Sequence, residues 1–253
     1  MNAYLLEGVS PVSPPVLVDS GFSAKGKGMG SRLSGRERPG GLLLLTHLHR
    51  DHAGGAAELS RRGFEVALHR EEVRLYADRV SGLAKVRYLE DEETVETPLG
   101  RLAALHTPGH AHGHLCYYWR EEGVLFSGDL ITAEPSSWVG PPDGDMAAYL
   151  SSLRRIAGLP LRLVLSGHGP PVENPAGAIS AYLQRRLERE AEILKLLEGG
   201  PAQVPGLTLR LYRGRGLPAH RRAFAEKTVE AHLLKLCAEG LVRRLSDGKF
   251  TLR

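Results

Sequence analysis

An α/β domain followed by a small helical domain that ends in a β-hairpin is the architecture this sequence predicts, and three observations lead there. Short apolar runs alternate with helical stripes over the first two-thirds of the 253 residues. Histidine and aspartate recur just past the ends of several of those runs. Beyond residue 178 the pattern changes to long helical stretches and then a tight turn. Strands and helices in alternation argue for packed layers around a sheet core.

The elements follow in order. Residues 3–6 and 16–18 are short apolar runs before turn residues, and 42–45 is an apolar run between Gly40-Gly41 and a histidine cluster. Each reads as a strand, the last one buried. Residues 53–62 read as a helix and 64–68 as the next strand. Further strands are predicted at 101–106, 114–119, 123–127 and 161–166, with helices at 71–75 and 146–156. In the latter, Met146, Tyr149, Leu150, Leu153 and Ile156 form one helical stripe. Residues 20–41, rich in glycine and basic side chains, read as a loop; its GKGMGSR lacks the GK[ST] ending of a phosphate-binding loop. Residues 179–198 form one long helical pattern, broken at Gly199-Gly200-Pro201. Residues 223–239 form another, with Val229, Leu233, Leu236 and Cys237 as its apolar stripe and Gly240 as its stop. LVRRL and KFTLR flank Asp247-Gly248, a two-residue hairpin signal. Helix, helix and hairpin is the order of a winged helix, so the expected domains are 1–178 and 179–253.

Composition narrows the class. No run of 18 apolar residues exists, so no membrane span is expected. The start, MNAYLLEGVS, has no basic segment followed by a long apolar one, and a cytoplasmic enzyme is the simplest expectation. Cys116 and Cys237 form no CxxC pair, which argues against both a disulfide framework and a thiolate zinc site. The net charge of +4 hides an asymmetry: residues 180–253 hold 15 basic and 8 acidic side chains, so the C-terminal part is +7 and the rest −3. That favours a polyanionic partner at the C-terminal end.

Residues 46–52 read THLHRDH and place His47, His49, Asp51 and His52 at the end of an apolar strand. In a loop His47 and His49 can turn to one side together, while Asp51 and His52 reach a second position as the chain enters a helix. Imidazole and carboxylate suit zinc, iron or manganese. His110, Asp129 and His168 each follow a predicted strand and a glycine (TPGH, FSGD, SGHG). Together they make seven candidate ligands, which suits two metal ions.

THLHRDH, TPGH, FSGD and SGHG resemble, in order, the motifs of the metallo-β-lactamase superfamily, and LVDSG at residues 17–21 resembles its early strand-and-turn Asp. The resemblance covers roughly residues 1–178. It implies an α/β fold of the αββα four-layer sandwich type, with the site at one edge between the sheets. It implies a first metal on His47, His49 and His110, a second on Asp51, His52 and His168, and Asp129 bridging both. Two divalent ions are expected, zinc first, with iron or manganese open. The implied chemistry is hydrolysis by a hydroxide held between the metals, with Asp51 and Asp129 as the catalytic carboxylates. TPGHAHGHLCYY resembles the glyoxalase II stretch, in which the second histidine of this kind, here His114, is not a direct ligand. His112 stays open between an inert and a substrate-touching role, and His69, His220 and His232 read as surface or packing residues.

The stretches GDM with YLSSL, SGHGPPVENP and AISAYLQRRLEREAEIL resemble the beta-lactamase-like protein 2 group, and KTVEAHLLKLCAEGLVRR resembles that group's C-terminal winged helix. Characterised members cleave single-stranded RNA. A phosphodiesterase of endoribonuclease type, with single-stranded RNA or another polyanion bound by the basic C-terminal domain, is therefore the first expectation. A glyoxalase II-type hydrolase of a small ester or thioester is the second, and a non-catalytic nucleic-acid binder the third. The full ligand set speaks against the third, because a pure binder has no use for it. The spacing from Asp129 to His168 leaves no room for an inserted β-CASP nuclease domain.

Overall fold

The computed structural model describes residues 1–8, 14–21, 40–133 and 136–253; of the predicted loop at 20–41, residues 22–39 lie outside them. Two five-stranded sheets pack face to face. The first runs in the order β1 (Tyr4–Leu6), β2 (Val16–Val18), β3 (Leu42–Leu44), β4 (Glu65–Leu68) and β5 (Val86–Tyr88). β1 is antiparallel to β2 and the other neighbours are parallel. The second runs β6 (Glu93–Thr97), β7 (Gly100–His106), β8 (Leu115–Trp119), β9 (Val124–Gly128) and β10 (Leu163–Ser166), antiparallel except for the β9–β10 pair.

Side chains alternate across a strand, and that explains the continuous apolar runs. Val16, Val18 and Leu44 point between the sheets, against Leu102, Tyr117 and Phe126 of the second sheet. Leu17, Leu43 and Leu45 point the other way, against Leu59 and Val80 of the outer helices. Both faces are covered, as parallel strands require. The outer helices are α1 (Arg50–Ala53), α2 (Ala56–Arg61) and α3 (Val73–Ser81) on the first sheet, and α4 (Met146–Ala157) on the second. The layers are the αββα sandwich expected.

Differences from the predicted elements have local causes. The helix expected over 53–62 is two short ones, α1 and α2, interrupted at Gly54-Gly55. The helix expected at 71–75 begins as a 3₁₀ turn and continues to Ser81. β5 and β6 carry no prediction: β5 has three residues, and β6 is an edge strand with a polar sequence, ETVET, of which Val95 alone is fully buried.

The C-terminal part comprises α5 (Pro175–Leu197), α6 (Val204–Leu211), α7 (Arg222–Ala238) and the antiparallel pair β11 (Val242–Arg244) and β12 (Phe250–Leu252). α6 is hidden in the sequence by Pro205-Gly206. Proline is tolerated in a first helical turn, where its missing N–H has no partner to lose. α5 serves two cores. Ile179 and Tyr182 near its start pack with Tyr149 and Leu153 of the sandwich, joined by Ala231 of α7. Ile193 and Leu197 near its end pack with Leu233, Val242 and Phe250. No helix among the described residues is long and apolar enough to cross a membrane.

Candidate metal centre

The candidate ligands follow the C-terminal ends of β3, β7, β9 and β10, which meet at one edge of the sandwich. Two glycines let the chain come this close. Gly128 adopts φ +48°, and a Cβ there would stand 2.6 Å from His114 Nε2; a Cβ on Gly167 would stand 2.6 Å from Asp129 Oδ1.

His47, His49 and His110 converge. His47 Nε2 lies 3.0 Å from His49 Nδ1, and His110 Nε2 lies 2.9 Å from the same atom. The edge of a tetrahedron with metal–nitrogen bonds of about 2.0–2.1 Å is about 3.3 Å. The opposite ring nitrogens are occupied. His49 Nε2 donates to Asp143 Oδ2 at 2.9 Å, and His110 Nδ1 donates to the Trp138 carbonyl at 2.7 Å. The nitrogens that converge are the ones left free of those partners, an arrangement that fits a shared cation. Burial lowers His110 to about 4 and also lowers His47 well below its ordinary value, so both rings are neutral.

Asp51, His52 and His168 form the neighbouring set. Asp51 Oδ2 is 3.0 Å from His168 Nε2 and 3.6 Å from His52 Nε2. Asp129 faces both sets: its Oδ2 is 3.6 Å from His110 Nε2, and its Oδ1 is 3.3 Å from His52 Nε2 and 3.6 Å from His168 Nε2. His52 Nε2 and Asp129 Oδ1 are buried with no hydrogen-bond partner, the pattern expected of groups that ligate a cation. Burial alone would lower His52, but Asp19 and Asp129 on either side raise it to about 10. Burial likewise opposes the charge on Asp129, and the close approach of His52 at 3.3 Å with the charges of the nearby histidines overcomes it, holding the carboxyl well below its ordinary range. The hydrogen bond from His168 takes Asp51 down to about 2. The second set is the open side of the centre, with Asp51 and His168 side chains 42% and 34% exposed.

Supporting contacts fix these side chains. Asp19, at the end of β2 with φ +59°, accepts from His52 Nδ1 at 2.7 Å and from the Thr46 amide at 2.8 Å. His114 takes the supporting place expected of it: its Nε2 accepts the Asp129 amide at 3.2 Å and its Nδ1 donates to Thr107. Three supports had no sequence signal. Asp143, in the PPDGD turn, accepts from His49, from Tyr76 at 2.8 Å and from the His112 amide at 3.2 Å. Glu72 is buried and accepts the amides of Leu48 at 2.6 Å and Gly113 at 2.8 Å, tying two ligand loops together. The third is the Trp138 carbonyl. His106 stacks on His69 with ring centroids 3.8 Å apart, and His112 Nε2 donates to the Pro142 carbonyl; neither joins the converging groups.

A family model described as the metallo-beta-lactamase superfamily matches residues 2–168. The chain belongs to the metallo-beta-lactamase superfamily. Among the described residues it carries three groups of His and Asp side chains close enough to hold metal ions. A second model, the beta-lactamase-associated winged helix domain, matches residues 205–249. Among similar solved structures, a metallo-beta-lactamase family protein from Thermus thermophilus is 28% identical, covers 100% of this chain and 93% of its own, and superposes with a TM-score of 0.81. TTHA1623, solved in a di-iron-bound form, is 33% identical over 70% of this chain and 91% of its own, with a TM-score of 0.57. A Beta-lactamase-like protein 2 homolog of Caenorhabditis elegans is 29% identical over 79% of this chain, and an Atrochrysone carboxyl ACP thioesterase of Passalora fulva is 30% identical over 79%. The chain spans 66% and 60% of the length of those two relatives.

Proposed function

We propose that the chain is a two-metal hydrolase that cleaves phosphodiester bonds in single-stranded RNA or a similar polyanion. The two-metal part rests on Asp129, whose two carboxylate oxygens face different ligand sets, 3.6 Å from His110 and 3.3 Å from His52. His47, His49 and His110 would hold one ion, and Asp51, His52 and His168 the other. Zinc is the first expectation from the nitrogen-rich donor set; the di-iron form of TTHA1623 keeps iron in view. When bound, two such ions supply a water ionised near neutral pH and polarise the oxygen of the scissile group. The chain's own residues hold that centre in place. Asp19, Asp143 and the Trp138 carbonyl orient the rings of His52, His49 and His110. Asp129, facing both sets, would reach both positions and offset the charge of ions held there. Asp51, ionised and on the open side, stands where it can accept a proton from water entering the centre.

The phosphodiester is favoured over other substrates by the +7 charge of residues 180–253, since phosphate neutralisation dominates nucleic-acid affinity. A second reading, hydrolysis of a thioester or ester, is supported by the ACP thioesterase of Passalora fulva. One preparation decides between them: metal content is measured, and turnover is compared on bis-p-nitrophenyl phosphate, single-stranded RNA, S-lactoylglutathione and a simple thioester. Cleavage of the first two is expected. Thioester turnover with both phosphodiesters left intact would overturn the phosphodiesterase reading.

A further inference from the structure

A cavity of about 730 Å³ lies between the segment after β9, the middle of α5 and the stretch joining α6 to α7. That is the size of a small-ligand pocket, about 300–1,000 Å³. Its wall is strongly basic. Arg185, Arg186 and Arg189 come from α5 and Arg215 and Arg221 from the joining stretch, and no Asp or Glu is among the described lining residues. Glu192 holds two of these, at 3.3 Å from Arg189 and 2.6 Å from Arg215. Arg185, Arg186 and Arg221 have no carboxylate partner among the described residues.

Arg186 is the unusual member, since it is 5% exposed. A guanidinium is almost never buried without a paired anion. One of its terminal nitrogens donates to the Ser137 carbonyl, and its head lies 5.2 Å from the Tyr149 ring centroid. Its Nε and the Ser137 hydroxyl are buried with no hydrogen-bond partner. The field of these arginines reaches neighbouring groups. Burial lowers the buried His232, and the charges of Arg186 and Arg189 lower it further against the pull of Glu190. The pocket also has an aromatic rim. Trp138 and Phe224 meet edge to face at 5.9 Å, the Trp138 indole donates to the Phe224 carbonyl, and the Phe224 ring stays 59% exposed. Trp138 is in turn the residue whose carbonyl fixes His110, so one wall of the pocket and one metal ligand share a residue.

We propose that this pocket binds a nucleotide, with its phosphate against Arg185, Arg186 and Arg221 and its base against Phe224. Unpaired guanidinium groups suit phosphate oxygens, and an exposed aromatic ring beside a basic wall suits a base regardless of its identity. The ligand class does not depend on which bond the metal centre breaks. A phosphate beside a base occurs in single-stranded RNA and also in coenzyme A, the carrier half of many thioesters.

The test is equilibrium binding to the full-length protein across a salt series. The probes are a phosphorothioate single-stranded oligoribonucleotide and coenzyme A, with inorganic phosphate as competitor. The exposed pair Arg185→Ala/Arg221→Ala should weaken binding about tenfold or more, and should reduce the salt slope for the oligonucleotide by about 1, given about 0.7 per neutralised phosphate on a single strand. Arg185→Lys/Arg221→Lys should retain most of the affinity. Phe224→Ala should weaken nucleotide binding and leave competition by inorganic phosphate unchanged. Melting curves of each variant establish that the fold persists. Binding of the oligonucleotide alone assigns the pocket to nucleic acid, and binding of coenzyme A alone assigns it to an acyl carrier; either supports the pocket. Unchanged affinity and slope in the double alanine variant, or binding of neither probe, overturns it. Coenzyme A binding here without phosphodiester cleavage would sink the phosphodiesterase reading and leave the pocket standing. Phosphodiester cleavage with unchanged binding in the double variant would do the reverse.

Discussion

The sandwich and the C-terminal domain put their polar side chains to opposite use. In the sandwich, His47, His52, His110 and His114 are at most 3% exposed, and each ring nitrogen turned away from the centre has its own partner. In the C-terminal domain most of the basic groups are outside: Arg221, Arg222, Arg243 and Arg244 are all exposed, whereas Arg186 and His232 are buried, the latter held by Glu190 at 3.2 Å. Chemistry at a metal needs geometry fixed to fractions of an ångström, and burial supplies it. Attraction of a polyanion needs only a field, and fields tolerate movement. Single changes should therefore be severe and specific in the first region, and mild and additive in the second.

The largest expected effect tests whether the two regions are separable at all. A chain ending before residue 179 loses Ile179, Tyr182 and Ala231 from the sandwich core. At about 2–5 kcal/mol for a large apolar side chain, the loss is about 5–10 kcal/mol, comparable with the whole stability of a typical domain. Thermal unfolding of that fragment should show no folded baseline; a native-like melting point would make the sandwich independent of α5. Next comes Asp129→Ala, expected to lower kcat at least about a thousandfold, or about 4 kcal/mol, with reduced metal content and an intact circular-dichroism spectrum. Ordinary turnover in that variant would refute the bridging role.

Glu72 gives a pH-dependent effect of about 3 kcal/mol. Burial raises it to about 7 from an ordinary 4.5, at about 1.36 kcal/mol per pKa unit. The folded chain then binds the proton more tightly than the unfolded one. The stability Glu72 confers is complete below pH 4.5 and falls as pH rises through about 7. Denaturant titrations of wild type and Glu72→Gln, whose amide stands in for the protonated carboxyl, should nearly coincide below pH 4.5 and diverge in favour of the variant as pH rises through about 7, and a constant gap would remove Glu72 as the titrating group. Asp143→Ala frees the His49 ring and should weaken metal binding by about 10- to 100-fold, read by competition with a chelator. The smallest effect is Arg243→Ala with Arg244→Ala. Both lie on β11 and are exposed, so the melting point should barely move, while the salt slope of RNA binding falls by about 1. A drop of many degrees would show that these arginines act in packing.

What the sequence reveals follows the same division. All seven candidate ligands were legible because each must be His or Asp, must follow a strand and must stand beside a chain reversal. Asp143 and Glu72 were not, because a carboxylate in a turn or at a helix start reads as an ordinary surface group until tertiary contact shows what it accepts. A carbonyl such as that of Trp138 has no sequence signature. The strands between the sheets were readable from unbroken apolar runs, whereas the edge strand β6 alternates Glu and Thr around Val95 and was missed. The Arg-lined pocket was visible only as net charge, since Ser137, Arg186 and Phe224 meet across long separations.

The double duty of α5 bears on the order in which the protein is made. Ribosomal synthesis delivers the amino terminus first, and domains commonly fold as they emerge. Here every candidate ligand has been synthesised once His168 is in place, yet the layer behind β9 and β10 lacks Ile179 and Tyr182 until α5 follows, and Ala231 until α7 does. The sandwich cannot close its hydrophobic core while its own residues are the only ones available. A nascent chain paused after His168 would hold the whole candidate ligand set on an unfinished support, and the core behind that set is completed only once α5 and α7 have followed.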